Sequence, residues 1–286
     1  MSTNSTKTTG IGQEHAQEIA RGERFSFGEN WSRFLAVLND QRIAIAEQSL
    51  RKMLGVESLA GKTFLDAGSG SGLFSLAARR LGAKVHSFDY DPQSFACTIE
   101  LRRRYFDGDS DWRVDQASVL DPAYLGGLGT FDAVYSWGVL HHTGHMWDAL
   151  GNVAPLVAPG GQLFVAIYND QGKTSHRWTT VKKAYCGLPG PLKFLVLWPA
   201  GFFLWWRRIA KDFLLFRPFA TWNEYAELRG MSPWRDVVDW VGGYPFEVAK
   251  PEEIFHFYRD RGFELEEMRT EGGDLGCNEF VFRKRP

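Results

Sequence analysis

The stretch Asp66-Ala67-Gly68-Ser69-Gly70-Ser71-Gly72 constrains this chain more than any other. Residues 63–66 read as a short strand, 68–72 as a turn and 73–81 as a helix. Glycines let the backbone turn tightly and come close to a ligand. The helix behind the turn points its free N–H groups at that ligand. A second strand over 84–89 ends in Asp89, seventeen residues beyond Gly72. A carboxylate at that place can accept both hydroxyls of a ribose. A loop that merely turned the chain would leave Asp89 without a purpose. A dinucleotide site has a similar loop and acid, but two details differ here. The spacing is Gly-x-Gly-x-Gly, and Asp66 stands just ahead of the loop. A carboxylate that close repels a pyrophosphate by roughly several kcal/mol in a partly buried site, whereas a cationic ligand tolerates it.

Strands and helices go on alternating at short intervals. Residues 112–118 and 131–136 read as strands three and four, and 146–157 as a helix. A turn at Pro159-Gly160-Gly161 leads into strand five over 162–168. Pro92 suits the first turn of the helix after strand two. This alternation predicts a doubly wound α/β sheet with helices on both faces. It stops near Asn169, and residues 173–250 show no clear strand while holding seven of the eleven tryptophans. They read as a helical, aromatic-rich insertion capping the substrate. Residues 251–258 resume as a helix. Strands over 263–270 and 277–283, joined through Gly272-Gly273, then form an antiparallel hairpin and bring the sheet to seven strands. Residues 1–12 read as a disordered tail and 13–60 as a helical arm or lid, with a core over 61–172 that 251–286 completes.

Bulk properties narrow the partners. A formal net charge of −1 gives no general attraction to nucleic acid. The three cysteines, Cys97, Cys186 and Cys277, form no Cys-x-x-Cys pair, so neither a disulfide scaffold nor a thiolate zinc site is expected. The opening residues lack an apolar core, unlike a secretory signal, and a cytoplasmic protein is expected.

Residues 65–72 resemble motif I of the class I methyltransferases. Asp89 matches that family's ribose-binding acid, with Tyr90 beside the adenine. Residues 116–121 resemble the segment after strand three, although Ser118 stands where many members have aspartate. Residues 131–142 resemble the strand-four motif, and 159–163 the turn into strand five. Within the superfamily the general resemblance is to the ubiquinone-biosynthesis O-methyltransferase-like group. It implies S-adenosylmethionine as cofactor, held by Asp66, Gly68, Ser69, Gly70, Gly72, Asp89, Tyr90, Ser118, Val119 and Ser136.

Methyl transfer to a hydroxyl needs a base for the departing proton. In open α/β sheets the reactive end lies beyond the carboxyl ends of the strands. His141, His142 and Tyr168 are therefore the candidate catalytic residues, with packing or helix capping as the alternative for either histidine. His141 and His145 share metal-ligand spacing, but Gly144 lies between them and no glutamate follows the first, so no metal is expected. Asn169, Trp240, Glu247 and Asn278 are candidate substrate contacts, with 229–247 as a wall of the substrate site. Residues 192–219 carry a 13-residue apolar run, 194–206. That is short of the ~20 residues of a membrane span. Three readings stay open: a cap packed on the sheet, a pocket lining, or a helix lying on a membrane with Arg207, Arg208, Lys211 and Arg217 toward lipid head groups.

The leading expectation is transfer of a methyl group to a hydroxyl of a small aromatic or hydrophobic molecule. N-methylation of a small molecule or an RNA nucleoside is one alternative. A non-catalytic methyltransferase-like binding protein is another. A nicotinamide dehydrogenase is disfavoured by Asp66 and the loop spacing.

Overall fold

The computed structural model describes residues 2–218, 220–222, 233–273 and 275–286. Seven strands form one sheet in the order β3-β2-β1-β4-β5-β7-β6. They are β1 (Thr63–Ala67), β2 (Lys84–Asp89), β3 (Trp112–Gln116), β4 (Phe131–Trp137), β5 (Val157–Tyr168), β6 (Phe263–Arg269) and β7 (Cys277–Lys284). The first five are mutually parallel, and β7 runs antiparallel to both neighbours. This is the doubly wound sheet with a C-terminal antiparallel hairpin that the alternation of strands and helices predicts.

Both faces of the sheet are covered, so its central strands are apolar almost throughout. Along β1, Phe64 joins one core, while Leu65 and Ala67 join the other. In β5, Leu163, Val165 and Ile167 face the second core and Phe164 the first. Helices α3 (Asp40–Leu54), α4 (Leu73–Arg80) and α5 (Pro92–Tyr105) cover the Phe64 face. The short helix α6 (Pro122–Gly126), helix α7 (Met146–Val153) and the helix Pro251–Arg259 cover the other. Burying each such large apolar side chain contributes about 1.5–3 kcal/mol. Strand order reverses between β1 and β4. The crevice beyond their carboxyl ends is therefore the natural ligand site.

Two elements differ from the sequence expectation. Strand β5 begins at Val157, so Pro159-Gly160-Gly161 is an irregularity inside it, where its register with β4 shifts. The expected tail is helix α1 (Ser2–Ala20). Its later part is anchored by His15, which is 5% exposed and packs edge-on to Tyr90. That anchor is a tertiary contact with no local signature. A second arm helix, α2 (Gly28–Val37), follows.

The insertion is helical, as expected. Helices α8 (Lys173–Gly187) and α9 (Phe194–Leu214) and the helix Pro233–Gly242 share a third core of Trp178, Tyr185, Trp205, Val237 and Val241. Of the expected wall over 229–247, residues 229–232 lie outside the described residues. Among the described residues, no helix is long and apolar enough to cross a membrane.

Candidate active site

A cavity of about 1270 Å³ opens at the strand-order reversal. Its floor is made by the loops after β1, β2, β3 and β4. The β1 loop is shaped by backbone requirements. Gly68 has φ +87°, and a Cβ on it would lie 2.3 Å from Val139 Cγ1. The Gly68 and Ser69 N–H groups both donate to the Phe88 carbonyl, at 2.9 and 3.1 Å. Gly70, at φ +54°, donates its N–H to Asp89 Oδ2 at 2.8 Å. The other Asp89 oxygen accepts the Asp91 N–H at 2.9 Å. The loop's shape and the Asp89 carboxylate thus hold each other in place.

Two carboxylates sit under this loop. Burial pushes Asp66 up to about 7, and its Oδ2 accepts the Ser75 hydroxyl. The Ser75 hydroxyl in turn accepts from Ser87, and the Ser87 oxygen from the Trp112 indole N–H at 2.9 Å. Burial likewise pushes Asp89 up to about 7, and the Asp66 charge adds to the effect. Two desolvated acids make the floor receptive to a cation and hostile to a phosphate. That fits a sulfonium nucleoside bearing an ammonium group, and it argues against a dinucleotide.

The N-terminal arm roofs the floor. The Gly28 N–H donates to Asp91 Oδ2 at 2.9 Å, and His15 Nε2 lies 3.6 Å from the same oxygen. Arg24 lies 5.0 Å over the Tyr90 ring and donates to the His142 carbonyl at 2.9 Å. Trp31 packs on Gly70, where an added Cβ would come within 3.2 Å of the indole. His15, Arg24 and Trp31 line the cavity. The sequence reads 13–60 as a helical arm or lid, but its pairing with Tyr90, Asp91 and Gly70 requires the fold.

Of the sequence-selected floor residues, Asp66, Gly68, Ser69 and Gly70 line the cavity, as do Asp89, Tyr90, Ser118 and Val119. Gly72 and Ser136 do not. Gly72 takes φ +81° at the start of α4 and packs against Thr98. Ser136 is fully buried and donates to the Ala67 carbonyl at 2.8 Å, tying β4 to β1.

The far wall holds His142, Tyr168 and Trp240. His142 Nδ1 lies 2.6 Å from the Pro245 carbonyl. A carbonyl only accepts, so Nδ1 carries the proton and Nε2 keeps its lone pair. Burial lowers His142 to about 3, so the ring is neutral. Burial raises the Tyr168 phenol well above its ordinary value, so it can only donate or accept as a neutral hydroxyl. Behind Trp240 lies Lys182, fully buried and donating to the Trp240 carbonyl. Its nitrogen sits 4.3 Å from the Trp240 ring, and burial lowers it to about 7.

The remaining candidates are corrected by their surroundings. His141 is fully buried off the cavity, and its Nδ1 accepts the Tyr168 N–H at 3.3 Å. Asn278 donates to Asn169 Oδ1 at 3.1 Å and accepts the Glu271 N–H at 3.0 Å, pinning the hairpin loop to the end of β5. Neither asparagine lines the cavity. Glu247 accepts the Met146 N–H at 3.1 Å and caps α7. Each of these polar groups is held by a partner in another element: a backbone N–H for His141, Glu247 and Asn278, and the Asn278 amide for Asn169. Trp137, Asp239 and Arg208 line the cavity without having been singled out for the site.

Comparison with known proteins agrees with this geometry. The family described as a methyltransferase domain matches residues 65–163. A ubiquinone biosynthesis O-methyltransferase from Methylocella silvestris is 31% identical over 169 residues, 54% of this chain and 63% of the relative. The chain therefore spans less than two thirds of that relative. Its counterpart from Xanthomonas oryzae pv. oryzae is 30% identical over 185 residues, 62% of this chain and 70% of the relative. The solved magnesium protoporphyrin IX methyltransferase of Synechocystis, with bound SAH, shares the fold. The TM-score is 0.53 at 15% identity, over 94% of this chain and 99% of that one. The chain belongs to the class I S-adenosylmethionine-dependent methyltransferases, with S-adenosylmethionine as its cofactor.

Proposed function

We propose that this enzyme methylates a hydroxyl of a small aromatic or hydrophobic molecule. The observation that carries the reading is one continuous cavity. It runs from the acid-bearing glycine loop to an aromatic wall where the His142 Nε2 lone pair is kept available by the Nδ1–Pro245 bond. In this reading Asp89 takes the ribose hydroxyls, and Asp66 with the 68–70 loop faces the cationic amino-acid end. Tyr90, Ser118 and Val119 flank the adenine. Trp240 and Tyr168 face the acceptor, and the roof of Phe27 and Trp31 excludes water.

The bound cofactor supplies an electrophilic methyl group on a sulfonium. His142 accepts a hydrogen bond from the acceptor hydroxyl and aims its oxygen lone pair. As the oxygen–carbon bond forms, the hydroxyl becomes strongly acidic and its proton passes to Nε2. A neutral imidazole of low basicity suffices for that late transfer. Tyr168 orients the acceptor as a neutral phenol.

The test is a panel of phenols, catechols and amines incubated with enzyme and cofactor, read by mass spectrometry for gain of one methyl. Methylation of a phenol or catechol that is lost in His142→Gln, with cofactor affinity unchanged by calorimetry, supports the reading. Methylation confined to amines overturns it.

A further inference from the structure

We infer that helix α9 seats the enzyme on an anionic lipid bilayer. Its outer face is a continuous apolar surface. Leu195, Trp198, Phe202, Trp206 and Phe213 fall within about 80° of one another at about 100° per residue, and all five are exposed. Trp198 is 64% exposed and Phe202 70%. Leu214, the last residue of the helix, is 79% exposed, and Phe216, just past it, 93%. Folded chains rarely leave such an aromatic stretch in water without a partner for it.

Charge selects the partner. Residues 193–217 hold five cations, Lys193, Arg207, Arg208, Lys211 and Arg217, and one acid, Asp212. That acid is buried and turned inward, accepting the Thr221 N–H at 2.8 Å. The chain as a whole has a net charge of −1, whereas Arg207, Lys211 and Arg217 are all exposed at the end of the helix that carries the apolar face. A second copy docking through this face would set these cations against themselves. A bilayer with anionic head groups satisfies both the aromatics and the cations. Lying in the interface is the mode left open, because no described helix is long and apolar enough to span.

The helix is held firmly to the body. Gly201 packs against Trp234 and Val237, where an added Cβ would come within 3.3 Å of each. Its inner side, Leu204, Trp205 and Arg208, lines the cavity. The docked membrane therefore lies against the element that walls the site. The docking itself stands whichever acceptor is methylated.

The test is co-sedimentation of the full chain with vesicles of phosphatidylcholine alone and of phosphatidylcholine mixed with phosphatidylglycerol. Binding to the mixed vesicles that weakens with added salt is expected. Leu195→Ser/Phe202→Ser should reduce it at least about tenfold while leaving cofactor affinity intact, which reports the fold. Arg207→Gln/Lys211→Gln should remove the preference for anionic vesicles. Wild-type protein that stays in solution with both vesicle types overturns the inference. So does a dimer that Leu195→Ser/Phe202→Ser dissociates without any vesicle binding, which would give the face to a second copy.

Discussion

Replacing Gly68 by alanine tests the glycine loop through two separable effects. The first is conformational: φ is +87° at Gly68, and an L-residue there costs about 1–2 kcal/mol. The second is steric. The new Cβ would sit 2.3 Å from Val139 Cγ1 and 2.6 Å from Cγ2. Val139 is β-branched and stiff, so it cannot simply rotate aside. Overpacking of this kind costs about 1–3 kcal/mol. Both residues line the cavity floor, so the loss appears in cofactor affinity as well as in stability. Gly68→Ala should weaken S-adenosylmethionine binding by about 30-fold or more, from roughly 2–5 kcal/mol of combined cost. Val139→Ala removes both methyl contacts and leaves only Cβ, at 2.9 Å. In the double variant the steric part should be partly relieved and the conformational part should remain. Titration calorimetry on the four proteins should therefore give a coupling of about 1–3 kcal/mol between the two positions. Additive effects, with no coupling, would refute the close approach of the loop to Val139.

Other outcomes follow from the same contacts. His142→Gln should lower kcat by about 10²–10⁴ with little change in cofactor affinity. Because burial holds His142 near 3, the wild-type pH–rate profile should show no ionisation of this ring at neutral pH. Glu247→Ala should cost about 1 kcal/mol of stability through the lost cap on α7, read by chemical denaturation, and leave KM unchanged. Asp66 and Asp89 both rise from 3.8 to about 7 on folding. A raised acid favours the fold below its unfolded value and loses that contribution as pH climbs to its folded value. The cofactor-free enzyme should thus lose stability between those two values, and Asp89→Asn should flatten the slope of Tm against pH.

The sheet was legible because parallel strands buried on both faces write themselves as apolar runs between glycine turns. Residues 62–168 accordingly read almost as they fold, apart from the early start of β5 at Val157. The floor of the site was legible for the same reason: Gly68, Gly70 and Asp89 are demanded by local backbone geometry. What stayed hidden was every partnership made at long range. Nothing near His141 in sequence shows that Tyr168 occupies its Nδ1, and nothing near Glu247 points to Met146. The same holds for the clasp of Gly28 and His15 on Asp91, which fixes the helical arm as the roof of the cavity.

The most direct measurement is calorimetric titration of S-adenosylmethionine into the wild-type enzyme and Asp89→Asn, with Tm recorded for both. The substitution keeps the size of the side chain and removes the charge, and its NH2 can no longer accept one of the two N–H groups, of Gly70 and Asp91, that the carboxylate accepts. Hydrogen bonds to a charged group contribute about 1.5–3 kcal/mol each, so two ribose hydroxyls translate to a loss of roughly 100-fold or more. A weakening of at least that size, in a protein that still unfolds in a single cooperative transition, is the expected result. Equal affinity in the two proteins would contradict the assignment of this loop and its acid to the cofactor.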